Sequence, residues 1–88
     1  MNLDYSIHFS HRFVARLRAA REAKGFTQTK LAKLAGISRS ALSMIESEDR
    51  NPTLFVCHAL AKALGLQLSA MMRGVEIEEK KHPKKFLR

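Results

Sequence analysis

The chain contains 88 residues, of which 16 are Lys or Arg and 8 are Asp or Glu, so its formal net charge at pH 7 is +8. A chain of this length can bury only one small hydrophobic core, which excludes a second domain and makes further burial through self-association favourable. The excess of positive charge favours a polyanionic partner, either nucleic acid or an acidic membrane.

The sequence carries none of the signals of a membrane protein or an enzyme. It has neither an apolar run of about 20 residues nor the basic and then apolar order of a signal peptide, so we expect a cytoplasmic protein. The serines have no evident His and Asp partners and there is no phosphate-binding glycine loop, so we expect neither catalysis nor a cofactor. The lone Cys57 should be a buried apolar residue. The histidines fit no metal-binding spacing, so we expect no metal site: they are His8, His11, His58 and His82.

The first ten residues alternate between apolar and polar side chains. The apolar positions are Leu3, Tyr5, Ile7 and Phe9, a period of two that is typical of a β-strand. A single strand leaves its edge unpaired, so a strand here would need a partner elsewhere. Residues 1–10 are therefore predicted to be an N-terminal arm, either a short terminal strand or disordered.

From residue 11 the apolar residues recur at helical spacing. The first helix should end at Gly25, because glycine readily adopts the left-handed conformation that follows many helices. Thr27 then offers a hydroxyl cap to a second helix, and Gly36 and Ser38 supply a tight turn and the next cap. The predicted buried faces of the two helices are Phe13, Val14, Leu17 and Ala20, followed by Leu31, Ala32, Leu34 and Ala35.

The third helix has two faces of different character. At about 100° per residue, Ala41, Leu42 and Ile45 point inward. The opposite face consists of Arg39, Ser40, Ser43, Met44 and Ser47. Exposed helix surfaces are usually rich in Lys and Glu, whereas this face is small and nearly free of acid, which suits the major groove of DNA.

Two further helices are predicted before the C-terminal tail. The fourth is capped by Thr53 and stops at Gly65, and its apolar side should contain Leu54, Cys57, Leu60, Ala61 and Leu64. The fifth is short and contains Leu68, Met71 and Met72, which we interpret as core or interface and not as a ligand surface. Residues 11–74 therefore form the domain, and residues 75–88 are predicted to be a basic tail that is partly disordered.

Residues 12–73 resemble the phage repressor and Cro-type helix-turn-helix family, also called the xenobiotic-response-element-like family. The matching positions are Arg21, Thr27-Gln28, Leu31-Ala32, Gly36, Ser38, Ile45-Glu46, Asn51-Pro52 and Ala61 to Gly65. The resemblance implies an all-α, five-helix, lambda-repressor-like DNA-binding domain whose third helix enters the major groove.

The resemblance also implies roles for individual residues. The positions expected to contact bases are Arg39, Ser40 and Met44. The positions that match or adjoin phosphate contacts are Thr27, Gln28, Ser38, Ser43, Arg50 and Asn51. Arg21 and Glu46 match a family ion pair that links the first helix to the end of the third.

One position departs from the family pattern. Two residues after Glu46, where many members have glycine, this chain has Glu48 followed by Asp49. A left-handed conformation is uncommon for residues other than glycine, so we expect either a different chain path or Asp49 in that conformation.

The most favoured function is a dimeric transcriptional regulator that docks two third helices on an inverted-repeat operator of double-stranded DNA. One alternative is an antitoxin that binds a toxin through its terminal segments and represses its own operon. Another is a restriction-modification controller protein. The sequence leaves these alternatives open.

Overall fold

The computed structural model describes residues 3–81, which form five helices. These are α1 (Leu3–Ala23), α2 (Gln28–Ala35), α3 (Arg39–Glu46), α4 (Leu54–Ala63) and α5 (Leu68–Lys81). Helices are the only regular secondary structure in the described part of the chain, which confirms the predicted all-α fold with five helices.

Every helix contributes to one core. The largest fully buried side chains are Leu17, Leu31, Leu42, Leu60, Leu64 and Val75. Two residues that we predicted to be buried are exposed, Leu34 at 54% and Leu54 at 68%, and three alanines predicted on buried faces are only half-buried: Ala20, Ala35 and Ala41. Leu34 and Leu54 lie at the border of an apolar stripe, where the helical period alone does not decide which neighbour is covered.

The described part of the predicted N-terminal arm, residues 3–10, is helical, so it is neither a strand nor disordered; residues 1 and 2 lie outside the described residues. Helix α1 begins at Leu3, eight residues before the predicted start at His11. Phe9 packs against the core, and it lies on the same helical stripe as the buried Phe13 and Leu17, at steps of four residues. An alternating segment also places apolar residues four positions apart, so the same sequence can form a helix when the core covers those residues.

The C-terminal boundary also differs from the prediction. Helix α5 continues through Gly74 to Lys81, and Val75, which we assigned to the tail, is fully buried. Arg12 on α1 lies 3.1 Å from Glu78, so this part of α5 is held against α1. The remainder of the predicted tail, residues 82–88, lies outside the described residues.

The predicted helix caps are confirmed. The hydroxyl oxygens of Thr27, Ser38 and Thr53 each accept a hydrogen bond from the backbone N–H three residues later, at 3.0 to 3.2 Å. Each bond satisfies one of the backbone donors that a helix N-terminus leaves unpaired.

The ends of α1 to α4 share one geometry. Gly25, Gly36 and Gly65 follow α1, α2 and α4 with positive φ angles, and after α3 the same place is taken by Glu48 with φ 67°. The backbone N–H of Glu48 donates to Ile45 O and that of Asp49 donates to Met44 O, which completes a Schellman motif. Both of our expectations for this loop were therefore wrong, because the chain turns after α3 as it does after the other three helices, with Glu48 itself in the left-handed conformation.

The packing of the helices leaves one side of α3 uncovered. Helix α2 packs on α3 and α4, whereas α1 packs on α5 and on α3. Within residues 3–81 no single helix is long and apolar enough to cross a membrane, and α4 with α5 passes that test only as a pair bent by 106°.

Candidate nucleic-acid interface

Helices α2 and α3 are joined by a short turn that fixes α3 against the core. Gly36 adopts φ 78°, and the backbone N–H of Ile37 donates to Ala32 O at 3.0 Å. The side chain of Ile37 packs against the core, and Leu42 and Ile45 are buried below α3. The inner face of α3 is therefore anchored, which determines the direction of its outer face.

The outer face of α3 carries the three residues predicted to contact bases. Arg39 and Ser40 are exposed in the first turn of the helix, and Met44 is 39% exposed one turn later. Ser43, predicted to lie near a phosphate, is half-buried between them. The structure thus brings a cation, a hydroxyl and an apolar thioether together on one accessible helix face.

Arg21 and Glu46 form an ion pair beneath this face. The Arg21 guanidinium donates to the two carboxylate oxygens of Glu46 at 2.7 and 2.9 Å, and it also donates to Phe26 O at 2.8 Å. The side chains are only 11% and 4% exposed. A bidentate pair of this kind fixes the end of α3 relative to α1.

The pair also determines the charge of Glu46. Burial opposes ionisation, but hydrogen bonds from Arg21 and Gln28 outweigh it and hold the pKa of Glu46 below its usual range. The hydrogen bond to Glu46 likewise raises the pKa of Arg21 against the opposing effect of burial. Both groups are therefore charged at neutral pH.

Gln28, a predicted phosphate contact, belongs to the same network. Its Nε2 donates to Glu46 Oε1 at 3.0 Å, a bond that the sequence did not indicate. An amide nitrogen has two hydrogens, so one remains available to an outside acceptor. Glu46 thus connects α1, the first residue of α2 and the end of α3.

The loop of residues 47–53, between α3 and α4, carries Arg50 and Asn51, both exposed. Two contacts from α1 reach this loop: Ser10 Oγ donates to Asn51 Oδ1 at 3.2 Å, and His11 Nδ1 lies 3.7 Å from Glu48 Oε1. Sequence reasoning missed both, because it placed Ser10 in an arm and His11 at the very start of the first helix.

The predicted contact residues therefore lie on three consecutive pieces of chain. They are the N-terminus of α2, the outer face of α3 and the 47–53 loop. Among residues 3–81, no group of three or more His, Cys, Asp or Glu side chains could hold a metal ion. The predicted contact residues offer hydrogen-bond donors and the positive charges of Arg39 and Arg50, and Glu48 and Asp49 place two carboxylates in the same loop as Arg50.

Comparison with known sequences points in the same direction. A family model described as Helix-turn-helix matches residues 17–70. The chain is 44% identical over 57 residues to the immunity repressor protein of Bacillus phage phi105, a match that covers 65% of this chain and 40% of the repressor. It is 36% identical over 69 residues to an uncharacterized HTH-type transcriptional regulator, YqaF, of Bacillus subtilis (strain 168), covering 78% of this chain and 90% of that protein. The chain thus spans less than half of the phage repressor and most of YqaF.

Two solved structures resemble the fold. The restriction-modification controller protein C.AhdI from Aeromonas hydrophila is 36% identical and superimposes with a TM-score of 0.66, over 73% of this chain and 96% of that one. The clp gene regulator ClgR from Corynebacterium glutamicum has a TM-score of 0.74 at 21% identity, over 88% of this chain and 82% of that one, and supports the fold alone. With a family model over more than half of its length and relatives named as a repressor and a transcriptional regulator, the chain belongs to the phage-repressor and Cro-type helix-turn-helix family of DNA-binding transcription regulators.

Proposed function

We propose that the protein binds an inverted-repeat operator as a homodimer and regulates transcription by placing α3 of each subunit in a major groove. The observation that carries this proposal is the outer face of α3, where Arg39, Ser40 and Met44 are exposed while Leu42 and Ile45 are buried. A helix that is anchored on one side and carries no acidic side chain on the other can approach base edges closely.

The three exposed side chains offer different means of reading sequence. The guanidinium of Arg39 can donate two hydrogen bonds to the O6 and N7 atoms of a guanine. Met44 can lie against the methyl group of a thymine, and the hydroxyl of Ser40 can donate or accept. Together these contacts would specify a short half-site.

Phosphate contacts would surround this face and fix its position. The hydroxyls of Thr27 and Ser38 already accept backbone hydrogen bonds, so each retains its own hydrogen for a phosphate oxygen. Gln28 retains one amide hydrogen beside its bond to Glu46. The proposed phosphate contacts are Thr27, Gln28, Ser38, Ser43, Arg50 and Asn51.

Selection of bound sequences from random double-stranded DNA tests the proposal. A dimer with two reading helices should enrich an inverted repeat whose half-sites lie about 34 Å apart, one turn of DNA. Enrichment of a single unrepeated half-site would contradict the dimer, and no enrichment would contradict sequence-specific binding.

A restriction-modification controller is the second candidate, favoured by the 36% identity to C.AhdI over 96% of that chain. The DNA surrounding the gene distinguishes it from other regulators. A neighbouring methyltransferase or endonuclease gene, with the selected operator between the two, would support this role. The absence of both genes would argue for a different regulon.

The antitoxin alternative depended on terminal segments that exceed the DNA-binding domain. Residues 3–10 and 75–81 lie within α1 and α5, and Phe9 and Val75 pack into the core from these segments. Less of the chain is therefore available for a toxin than the sequence suggested.

A further inference from the structure

The N-terminal half of α1 lies outside the residues that match the family model, which begin at residue 17. Part of this half lies beside the 47–53 loop, the segment that carries two of the proposed phosphate contacts. Ser10 Oγ donates to Asn51 Oδ1 at 3.2 Å, between residues 41 positions apart in the sequence. A family-type domain that began at residue 17 would lack this contact.

Neighbouring residues of α1 also contact or border the same loop. His11 Nδ1 lies 3.7 Å from Glu48 Oε1. Phe9 and Phe13 line one shallow apolar groove together with Pro52. Three consecutive residues of α1, Phe9, Ser10 and His11, therefore face the loop, so its position relative to α1 is determined at more than one point.

The hydrogen bond from Ser10 has a direct chemical consequence for Asn51. A carboxamide has an accepting oxygen at one end and an NH2 group with two donors at the other. Phosphate oxygens only accept, so Asn51 can bind a phosphate only through its NH2 group. Because Ser10 donates to Oδ1, the NH2 group at the other end of this exposed carboxamide is left for a different partner.

We propose that Ser10 is a positioning residue, which orients the carboxamide of Asn51 so that its NH2 group faces a DNA phosphate. The proposal rests on the proposed function, specifically on Asn51 as a phosphate contact. It assigns a role in DNA binding to the extension of α1, which itself need not touch the DNA.

The test uses the selected operator with single neutral methylphosphonate linkages placed one at a time along the backbone. Where the replaced phosphate accepts a hydrogen bond from the protein, the methylphosphonate should weaken binding by about 2- to 12-fold, which corresponds to one hydrogen bond. For the Asn51→Ala variant, we expect that a methylphosphonate at one particular linkage in each half-site no longer lowers the affinity. Ser10→Ala should strongly reduce the loss at that same linkage and at no other.

Two variants serve as controls. Ser6→Ala makes the same change one turn earlier on α1, at an exposed residue, and should keep the pattern of the unsubstituted protein. Ser10→Thr retains a hydroxyl and should restore the loss at the Asn51 linkage. Thermal melting shows whether each variant is folded. A variant that unfolds would bind every operator more weakly, whichever linkage is substituted, and would not lose the effect of one linkage alone.

The possible outcomes separate the two proposals. If Asn51→Ala abolishes the loss at one linkage and Ser10→Ala leaves it intact, the positioning role of Ser10 is wrong while the proposed function stands. If Ser10→Ala weakens binding uniformly and lowers the melting temperature, Ser10 is only structural. If no linkage responds to Asn51→Ala, the phosphate contact itself is wrong, and the inference fails with it.

Discussion

Glu48 occupies a position at which α1, α2 and α4 are followed by glycine. Its φ angle of 67° places a side chain in the left-handed region, which costs a residue other than glycine about 1–2 kcal/mol. The Schellman hydrogen bonds to Ile45 and Met44 are nevertheless complete. The backbone geometry after α3 is therefore determined by the hydrogen bonds of the helix end, and Glu48 tolerates it at a cost in stability.

Comparison of Glu48→Gly with Glu48→Ala isolates this cost. Both remove the carboxylate, but only glycine relieves the left-handed strain, so Glu48→Gly should be about 1 kcal/mol more stable than Glu48→Ala. In a domain of this size the difference corresponds to roughly 4–8 °C in melting temperature. Equal melting temperatures would show that the loop relaxes around any residue at position 48.

The Arg21–Glu46 pair predicts how stability depends on pH. The pKa of Glu46 is lower in the folded chain than the usual value of about 4.3. Its contribution is therefore complete above that usual pKa and is lost as the pH falls through the lower, folded pKa. Glu46→Gln should reduce the free energy of unfolding at pH 7, and the two proteins should converge in stability as the solution is acidified below about pH 4.

Glu22→Gln is the matched control for this titration. Glu22 pairs with Arg18 at 3.5 Å, but both side chains are 57% exposed, and exposed pairs contribute little to stability. Denaturant unfolding between pH 3 and pH 7 measures all three proteins. A constant difference between the unsubstituted protein and Glu46→Gln over that range would contradict the pKa argument.

Single residues were predictable where a local rule applies. Thr27, Ser38 and Thr53 are caps because a short hydroxyl before an apolar run is favoured there. The bonds from Ser10 to Asn51 and from Gln28 to Glu46 join distant positions, and no local pattern encodes such pairs. The first bond depends on α1 lying beside the 47–53 loop, and the second depends on the packing of α2 on α3.

The two errors in the bounds of the elements, at the start of α1 and at the end of α5, have a common cause. Residues 3–9 and 75–79 each alternate, but these segments extend α1 and α5. Val75 is fully buried while Ile77 is 48% exposed, as expected for residues about 200° apart on a helix. A few alternating residues do not distinguish the two periods unless the partner surface is known.

Gly74 lies in the interior of α5, where glycine is normally unfavourable by about 0.5–1 kcal/mol relative to alanine. A Cβ atom there would approach Arg16 Nη1 at 2.9 Å, the mobile end of a partly exposed side chain. Arg16 also donates to Gly74 O at 3.2 Å.

We expect Gly74→Ala to stabilise the protein by up to about 1 kcal/mol, because the guanidinium can move aside and the helix gains propensity. Thermal melting measures the change. The double variant Arg16→Ala with Gly74→Ala should show a similar gain over Arg16→Ala alone. If Gly74→Ala destabilises the unsubstituted protein but stabilises the Arg16→Ala variant, the contact with Arg16 outweighs the gain in helix propensity.

For the whole molecule, the sequence was sufficient for the five-helix fold because motif spacings in residues 12–73 resemble a known family. The direction of the α3 face also followed, since the residues predicted to be inward, Leu42 and Ile45, are buried. A dimer surface could not be predicted, because a single sequence does not show which apolar residues contact a second subunit. Phe55, for example, is 82% exposed.

The net charge of +8 predicts DNA binding that weakens strongly with salt, with a slope of log affinity against log salt near −0.9 for each contacted phosphate. Arg50→Ala removes one cation for each subunit and should make the slope shallower by about 1 per subunit. Gln28→Ala removes a neutral donor and should weaken binding at every salt concentration without changing the slope. Identical slopes for Arg50→Ala and the unsubstituted protein would exclude Arg50 from the phosphate contacts.

The most direct test of sequence reading by α3 compares the affinity of Arg39→Ala with that of the unsubstituted protein, on the selected operator and on a scrambled duplex of equal length. A bidentate contact with guanine contributes about 1–3 kcal/mol of discrimination, so the variant should lose roughly 5- to 150-fold in affinity for the operator for each half-site that Arg39 contacts. On the scrambled duplex the loss should be much smaller, because phosphate contacts carry no sequence information. Equal losses on both duplexes, or no loss on either, would contradict the assignment of α3 as the reading helix.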